Sequence, residues 1–288
     1  MDLEKLSRAV ARKPIPVGRL SYYGVEPQDL KGTSMVCGNG FVYHVTPHIG
    51  EHVIPGKPGR HRVAMISDLH FGSKFCNKKR MIAFLKEAWK QGARVCVVVG
   101  DVLDGNKSVL LPEQSSTTFD AQLAELRAFM KKAPAFEFVA IDGNHDGYFS
   151  ASAGFTSGQL VANDLREHGV DWTFLGVCLG RARIHGARWH LWHPHGGAST
   201  RNAVRRILNE RAEALQERTD ILVMGHFHKF ASLPIYPEGI HGVCCPTFQE
   251  KGSEFSNRMT RPWDIGGVIV AYNVARNGHV SEVSAEIV

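Results

Sequence analysis

From about residue 62 to residue 275, short apolar runs alternate with longer stretches in which apolar positions recur every three or four residues. The runs RVAMIS (62–67), ARVCVVVG (93–100), FEFVAI (136–141), WTFLG (172–176), DILVMG (220–225) and GGVIVAYNV (266–274) are strand-sized and predict β-strands. Between the first two, NKKRMIAFLKEAWKQG (77–92) places Met81, Ile82, Leu85, Ala88 and Trp89 at helical spacing. Further helices are predicted around AQLAELRAFMKK (121–132), around SGQLVANDLREHG (157–169) and from about residue 200 to 217, with a hairpin over VCLGRARIHGARWHLWH (177–193). Strands alternating with helices predict an α/β layer arrangement.

Residues 1–60 follow a different pattern. An amphipathic start, LEKLSRAVARK, leads to the proline-bounded PIPVGRLSYYG, and Asn39-Gly40 within CGNGFVYHVT is a hairpin signal. PHIGEHVIPGKPGRH (47–61), with three prolines and three glycines, reads as a linker. The chain therefore divides into a small N-terminal segment, 1–60, and a large domain, 61–288. The N-terminal segment reads either as a small cap on that domain or as a reduced winged-helix unit whose wing and basic residues touch phosphates.

Composition narrows the function classes. Of the 288 residues 43% are hydrophobic and 22% charged, ordinary values for a globular protein, and the longest purely apolar run, VCVVV, is far short of the ~18–20 residues a membrane helix needs. The first residues lack the apolar core of a secretory signal, which predicts a cytoplasmic location. Six cysteines without CxxC spacing fit reduced thiols. The net charge of +6 suits an anionic partner without specifying one.

The chemistry lies where the strands end. Asp68-Leu69-His70 follows the first strand and Gly100-Asp101 the second. Asp142-Gly143-Asn144-His145-Asp146 follows the third, and Gly225-His226-Phe227-His228 follows DILVM. Loops at the carboxyl ends of strands in an α/β sheet converge on one edge, where ligands bind. In an extended segment residues i and i+2 point the same way, so Asp68 with His70, and His226 with His228, could each present both side chains to one ion or to two adjacent ions. Carboxylate, amide and imidazole donors without thiolate suit Mn, Fe, Zn, Co or Ni. Taken singly, each element has a plain structural reading: Asp101 as a helix cap, GNHD as a turn, GHFHK as solvated surface.

Together, Asp68-Leu69-His70, Gly100-Asp101-Val102-Leu103-Asp104, Gly143-Asn144-His145-Asp146 and Gly225-His226-Phe227-His228 resemble the successive signature blocks of the calcineurin-like metallophosphoesterase superfamily. HPHGG, GHFHK and PTFQ are similar to its bacteriophage and prophage members. The resemblance implies a four-layer αββα sandwich with a small N-terminal appendage and two divalent cations, Mn2+ foremost, with Fe, Zn, Ni and Co as alternatives. One cation would be held by Asp68, His70 and His228 and the other by Asn144, His226 and a further histidine, with Asp101 bridging them. It also implies attack on a phosphate ester by a metal-bridging hydroxide, with His145 as proton donor to the leaving group, oriented by Asp146.

The further histidine falls in HLWHPHGG (190–197). Pro194 ends the strand, so His193 sits at its carboxyl end with the other ligands. His195, in a glycine-rich loop, is the alternative ligand and otherwise a substrate contact, and His190 reads as a packed or edge histidine. Asp104-Gly105-Asn106 departs from the Arg-Gly that follows the second block in Ser/Thr protein phosphatases, which weighs against that activity. The expected substrate is a phosphodiester in DNA, RNA or a nucleotide. The alternatives are phosphomonoester hydrolysis and a decayed fold that only binds nucleic acid. Lys74, Arg188, Arg201, Arg205, Arg206 and Lys229 lie near the ligand loops in sequence, with Arg201 and Lys229 as candidate substrate contacts. Trp189 and Trp192 could stack bases, although alternating aromatics in a strand are more often core.

Overall fold

The computed structural model describes residues 2–10, 15–30, 35–38, 41–44, 52–153, 156–197, 200–215, 217–250 and 262–288. Two six-stranded sheets pack face to face. The first contains β5 (Gly59–Ile66), β6 (Val95–Val99), β7 (Glu137–Asp142), β8 (Trp172–Val177), β14 (Val268–Val274) and β15 (Val280–Ile287), in the order β15-β14-β5-β6-β7-β8. Strands β5 to β8 run parallel, and β14 pairs antiparallel with both β5 and β15. The second contains β4 (His52–Ile54), β9 (Leu179–Ile184), β10 (Ala187–Trp192), β11 (Ile221–Met224), β12 (Ala231–Ile235) and β13 (Ile240–Cys244), in the order β12-β13-β11-β10-β9-β4. Here β10, β11 and β13 are parallel.

The apolar runs carry no alternation because both faces of these strands are covered. Val95, Val97 and Val99 of β6 pack between the sheets with Val63, Met65, Leu191, Val223 and Trp189. Cys96 and Val98 face the other way, toward α2 (Lys78–Lys90), α3 (Phe119–Met130) and α5 (Ser157–Glu167). Val204 and Leu208 of α6 (Arg201–Glu213) cover the outer face of the second sheet against Leu222 and Met224. The result is four layers, helix, sheet, sheet and helix. Burying a Val or Leu side chain contributes about 1.5–3 kcal/mol, so the sandwich is a stiff base for loops at its edge. Polar caps start three of the helices: Asn77, Thr118 and Thr200 accept hydrogen bonds from Arg80, Ala121 and Ala203 N–H.

The N-terminal residues have a core of their own. Leu6 and Val10 of α1 (Leu3–Val10) pack with Ile15, Leu20, Val25, Leu30 and Val42. A three-stranded sheet joins β1 (Ile15–Pro16), β3 (Phe41–His44) and β2 (Met35–Gly38) in that order. The β2–β3 pairing is antiparallel; the Asn39-Gly40 turn, Lys13, residues 45–46 and residues 47–51 of the expected linker lie outside the described residues. The rest of that linker is strand at both ends, with residues 55–58 irregular between them. His52–Ile54 form the edge strand β4, parallel to β9, with Ile54 buried, because a single apolar side chain and three ladder positions suffice at a sheet edge.

Candidate metal centre

The parallel strands end at one edge, and there the backbone leaves ordinary geometry. Asp68, His70, Asp101, His226 and His228 all have φ between +50° and +78°. The left-handed region costs a non-glycine residue roughly 1 kcal/mol or more, although Asp, Asn and His tolerate it best. Five such residues in three loops are sustained by hydrogen bonds between the loops. Asp68 N–H donates to Gly100 O (3.0 Å), and Leu69 and His70 N–H both donate to Asp101 O (2.8 and 3.1 Å). Thr247 Oγ1 donates to Asp68 O (2.8 Å). The pairs Asp68/His70 and His226/His228 therefore converge through left-handed backbone, not through the extended alternation expected from their i, i+2 spacing.

The side chains form two groups. Asp68, His70 and His228 offer ligand atoms within 4.8 Å of one another, as do Asp101, His193 and His226; His70, Asp101 and His145 form a third such set that joins them. Asp68 Oδ1 lies 3.1 Å from His228 Nε2, and Asp101 Oδ2 lies 3.2 Å from His193 Nε2. Asn144 Oδ1 is 2.8 Å from His226 Nδ1 and 3.3 Å from His193 Nε2. His193 donates from Nδ1 to Val99 O (2.7 Å), which leaves Nε2 to the cluster. Backbone N–H groups reach the second oxygens: His226 N–H to Asp68 Oδ2 (3.0 Å) and His145 N–H to Asp101 Oδ1 (2.8 Å).

Crowding at the edge requires glycine at 143, where a Cβ would run into Asp101, and at two further places. A Cβ on Gly100, whose φ is +81°, would lie 2.4 Å from His193 Nδ1. One on Gly225 would lie 2.3 Å from Ser67 Oγ and 2.4 Å from Val99 O.

The donor set fits divalent cations. Among the described residues His70 Nε2 is buried without a hydrogen-bond partner while its Nδ1 is held 3.1 Å from Asp104 Oδ1, the arrangement that aims an imidazole at a metal. Electrostatics agree. Burial alone would push His70 and His193 down. The Asp104 hydrogen bond and the Asp101 carboxylate raise His70 to about 9, and Asp101 and Asp68 raise His193 to about 10. Burial opposes ionisation of Asp68, yet His228 brings it to about 2; Asp101 is likewise held well below the usual range, mainly by His193. The carboxylates thus hold positive charge at these nitrogens, and cations compete with protons for the same atoms.

Similarity to known proteins agrees with this geometry. The model of the calcineurin-like phosphoesterase family matches residues 61–249, well over half of the chain. The chain belongs to the calcineurin-like phosphoesterases. This phosphoesterase is similar to solved structures at low identity. One is Vps29 from Entamoeba histolytica, complexed with Zn2+ (14% identity, TM-score 0.38, covering 79% of this chain and 98% of that one). Another is an uncharacterized predicted phosphoesterase from Streptococcus pneumoniae (12%, TM-score 0.36, 80% and 98%). A third is a Thermotoga maritima protein (14%, TM-score 0.37, 79% and 99%). No curated protein matches the sequence.

In this phosphoesterase the residues singled out in the sequence fall in different places. Asp146 does not orient His145. Its oxygens accept from Gly143 N–H (2.8 Å), Leu103 N–H (2.8 Å) and Val102 N–H (3.2 Å), so it ties the Asp101 and Asn144 loops together. Burial and the nearby Asp101 raise it to about 6 against those hydrogen bonds. His145 Nδ1 instead donates to the carbonyl of Asp104 (2.9 Å), and burial lowers its pKa. His195 is exposed, with Nε2 3.1 Å from Cys178 Sγ, while His193 is fully buried in the cluster. His190 is buried in β10, 3.0 Å from Arg211 Nη2, away from the ligands. Trp189 is core, 1% exposed, and cannot stack a base; Trp192 packs on Arg211. Lys229 is buried, Arg201 is exposed and bonded to Asp264 at 3.2 Å, and Arg188 pairs with Asp220 at the far end of β10.

Sequence reasoning left Asp104 without a role. Its carboxylate is buried between His70 and Gln114 Nε2 (2.9 Å), and Gln122 Oε1 accepts from its N–H (3.0 Å). The GDVLD spacing marked the residue. The buried Gln114 and Gln122 behind it carry no sequence signal.

Proposed function

We propose that this centre hydrolyses phosphodiesters, in a nucleic acid or a nucleotide, with two divalent cations, Mn2+ first among them. Asp68, His70 and His228 would hold one, and Asn144, His193 and His226 the other, with Asp101 between. The observation that carries the reading is the position of Asp101, whose carboxylate shares ligand sets with both His193/His226 and His70. A carboxylate has two oxygens to divide between two ions. Bound cations would neutralise the phosphoryl oxygens and lower the pKa of water, the two requirements for attack on an anionic ester at neutral pH.

The rest falls to the chain's own groups. With Nδ1 donated to the Asp104 carbonyl, His145 has Nε2 left to carry a proton to the departing oxygen. Burial lowers its pKa, which makes that proton easier to give. Asp104 steadies His70, and Asp146 keeps the loops of Asp101 and Asn144 in register. The diester preference draws on Gly105, which stands where related protein phosphatases carry arginine. A diester brings one negative charge to the site and a monoester close to two, so the missing cation favours the diester.

The test is a panel with the full chain and added Mn2+: p-nitrophenyl phosphate, bis(p-nitrophenyl) phosphate, single-stranded DNA and RNA. Turnover of the diester and of at least one nucleic acid, faster than the monoester, is expected. Faster monoester turnover would replace the reading with a phosphomonoesterase. Nucleic-acid binding without turnover or bound metal would reduce the protein to a binding module.

A further inference from the structure

Five rings form a row across the centre. Tyr148 lies 5.1 Å from His145, His145 4.6 Å from His70, His70 5.5 Å from His228, and His228 4.4 Å from Trp263, measured between centroids. The three inner rings are imidazoles of the site. The outer two are aromatic, half-buried, and belong to none of the hydrophobic cores among the described residues.

Both outer rings are fixed to the ligand loops. Tyr148 N–H donates to His145 O (3.0 Å), and its ring fills the space a Cβ on Gly105 would need. Trp263 precedes Asp264, whose N–H donates to His228 O (3.0 Å) and whose Oδ2 accepts from Phe230 N–H (2.9 Å). Each wall has a cation beside it. Lys107 Nζ is 5.2 Å from the Tyr148 ring, and Arg201 is held by Asp264 next to Trp263. A partly exposed aromatic ring held on a loop offers an apolar face that a planar base can cover, and flanking cations suit neighbouring phosphates.

We infer that Tyr148 and Trp263 are stacking walls for the two nucleosides joined by the scissile phosphodiester. Tyr148 receives the leaving nucleoside beside His145, and Trp263 receives the one on the other side of phosphorus. This rests on the phosphodiesterase reading and adds the substrate's flanking groups to it.

Two diesters with the same p-nitrophenolate leaving group test the Trp263 wall: the p-nitrophenyl ester of thymidine 5′-phosphate and methyl p-nitrophenyl phosphate. The full chain with Mn2+ is expected to favour the thymidine ester by about tenfold or more in kcat/KM, the scale of one base–aromatic stack. That ratio should fall toward one in Trp263→Leu and persist in Trp263→Phe. Should Trp263→Leu not fold, the unaltered chain still decides: thymidine 5′-phosphate should inhibit at concentrations about tenfold below inorganic phosphate. Turnover of both esters at a ratio near one, or a ratio unchanged in Trp263→Leu, would overturn the inference and leave the phosphodiesterase reading intact. If neither ester is turned over with Mn2+, it is the phosphodiesterase reading that fails.

Discussion

Histidines gather at both ends of the sandwich, and the two ends do opposite things with them. At the carboxyl edge His70, His193 and His228 lie within about 3 Å of carboxylates, and His70 Nε2 has no hydrogen-bond partner among the described residues. At the other end His61 and His185 stack at 4.7 Å, with one ring nitrogen of each bonded to backbone and no carboxylate beside them among the described residues: His61 Nε2 donates to Lys57 O (2.8 Å) and His185 Nδ1 to Pro55 O (3.0 Å). His185 even shares the left-handed φ, at +49°, but as part of a hairpin turn before Gly186. Neither histidine density nor backbone strain therefore makes a site. Buried carboxylates beside imidazoles do.

Substitutions can break that contrast, beginning with the largest effect. Asp101→Ala should cut Mn2+-dependent turnover by roughly 10³-fold or more, since the metal-ion contribution it anchors amounts to several kcal/mol. Metal analysis should show fewer than two equivalents bound. In the same assay His193→Ala should lose one equivalent and His195→Ala none; the reverse would move the ligand to the exposed histidine.

His145→Asn should lower kcat by about 10² to 10⁴ for poor leaving groups, and less for p-nitrophenolate, while metal content stays at the unaltered level. Equal losses on both substrates would remove His145 from proton transfer. Asp146→Asn exchanges one acceptor oxygen for a donor facing backbone N–H groups. It should weaken Mn2+ binding by about ten- to a hundredfold in an equilibrium titration, the usual cost of losing a group that orients ligands.

The pH dependence follows from the raised imidazoles. A histidine whose folded pKa lies above its usual 6.5 stabilises the fold fully below that value and loses the contribution as pH rises through the folded pKa. With His70 near 9 and His193 near 10, the metal-free protein should melt at progressively lower temperature between pH 7 and 10. Mn2+ should flatten that decline, because cations take the place of those protons. The smallest effect belongs to the other end: His61→Ala should leave metal content and turnover unchanged and cost about 1 kcal/mol or less in urea unfolding.

Much of this was legible in the sequence, and the failures have physical causes. Four strand-end blocks and a proline-terminated strand locate Asp68, Asp101, Asn144, His193 and His228, because a parallel sheet delivers its strand ends to one edge whatever its loops do. How Asp68 and His70 converge was not legible, since spacing alone does not reveal left-handed backbone. The orienting role that the resemblance implies for Asp146 does not match a carboxylate that turns to Val102, Leu103 and Gly143 N–H groups. Tyr148 and Trp263 lie outside every periodic pattern, and only the row of rings connects them. Strand β4 was hidden by the prolines and glycines around it.

The closeness of Gly100 and Gly225 to His193 and Ser67 extends the inheritance of the site beyond its ligands. A methyl group at either position would displace an imidazole or the hydroxyl that bonds Asp68, with every ligand still in place in the sequence. A descendant could therefore keep every metal-binding side chain and be inactive, and the first places to look for silent loss are residues with no side chain.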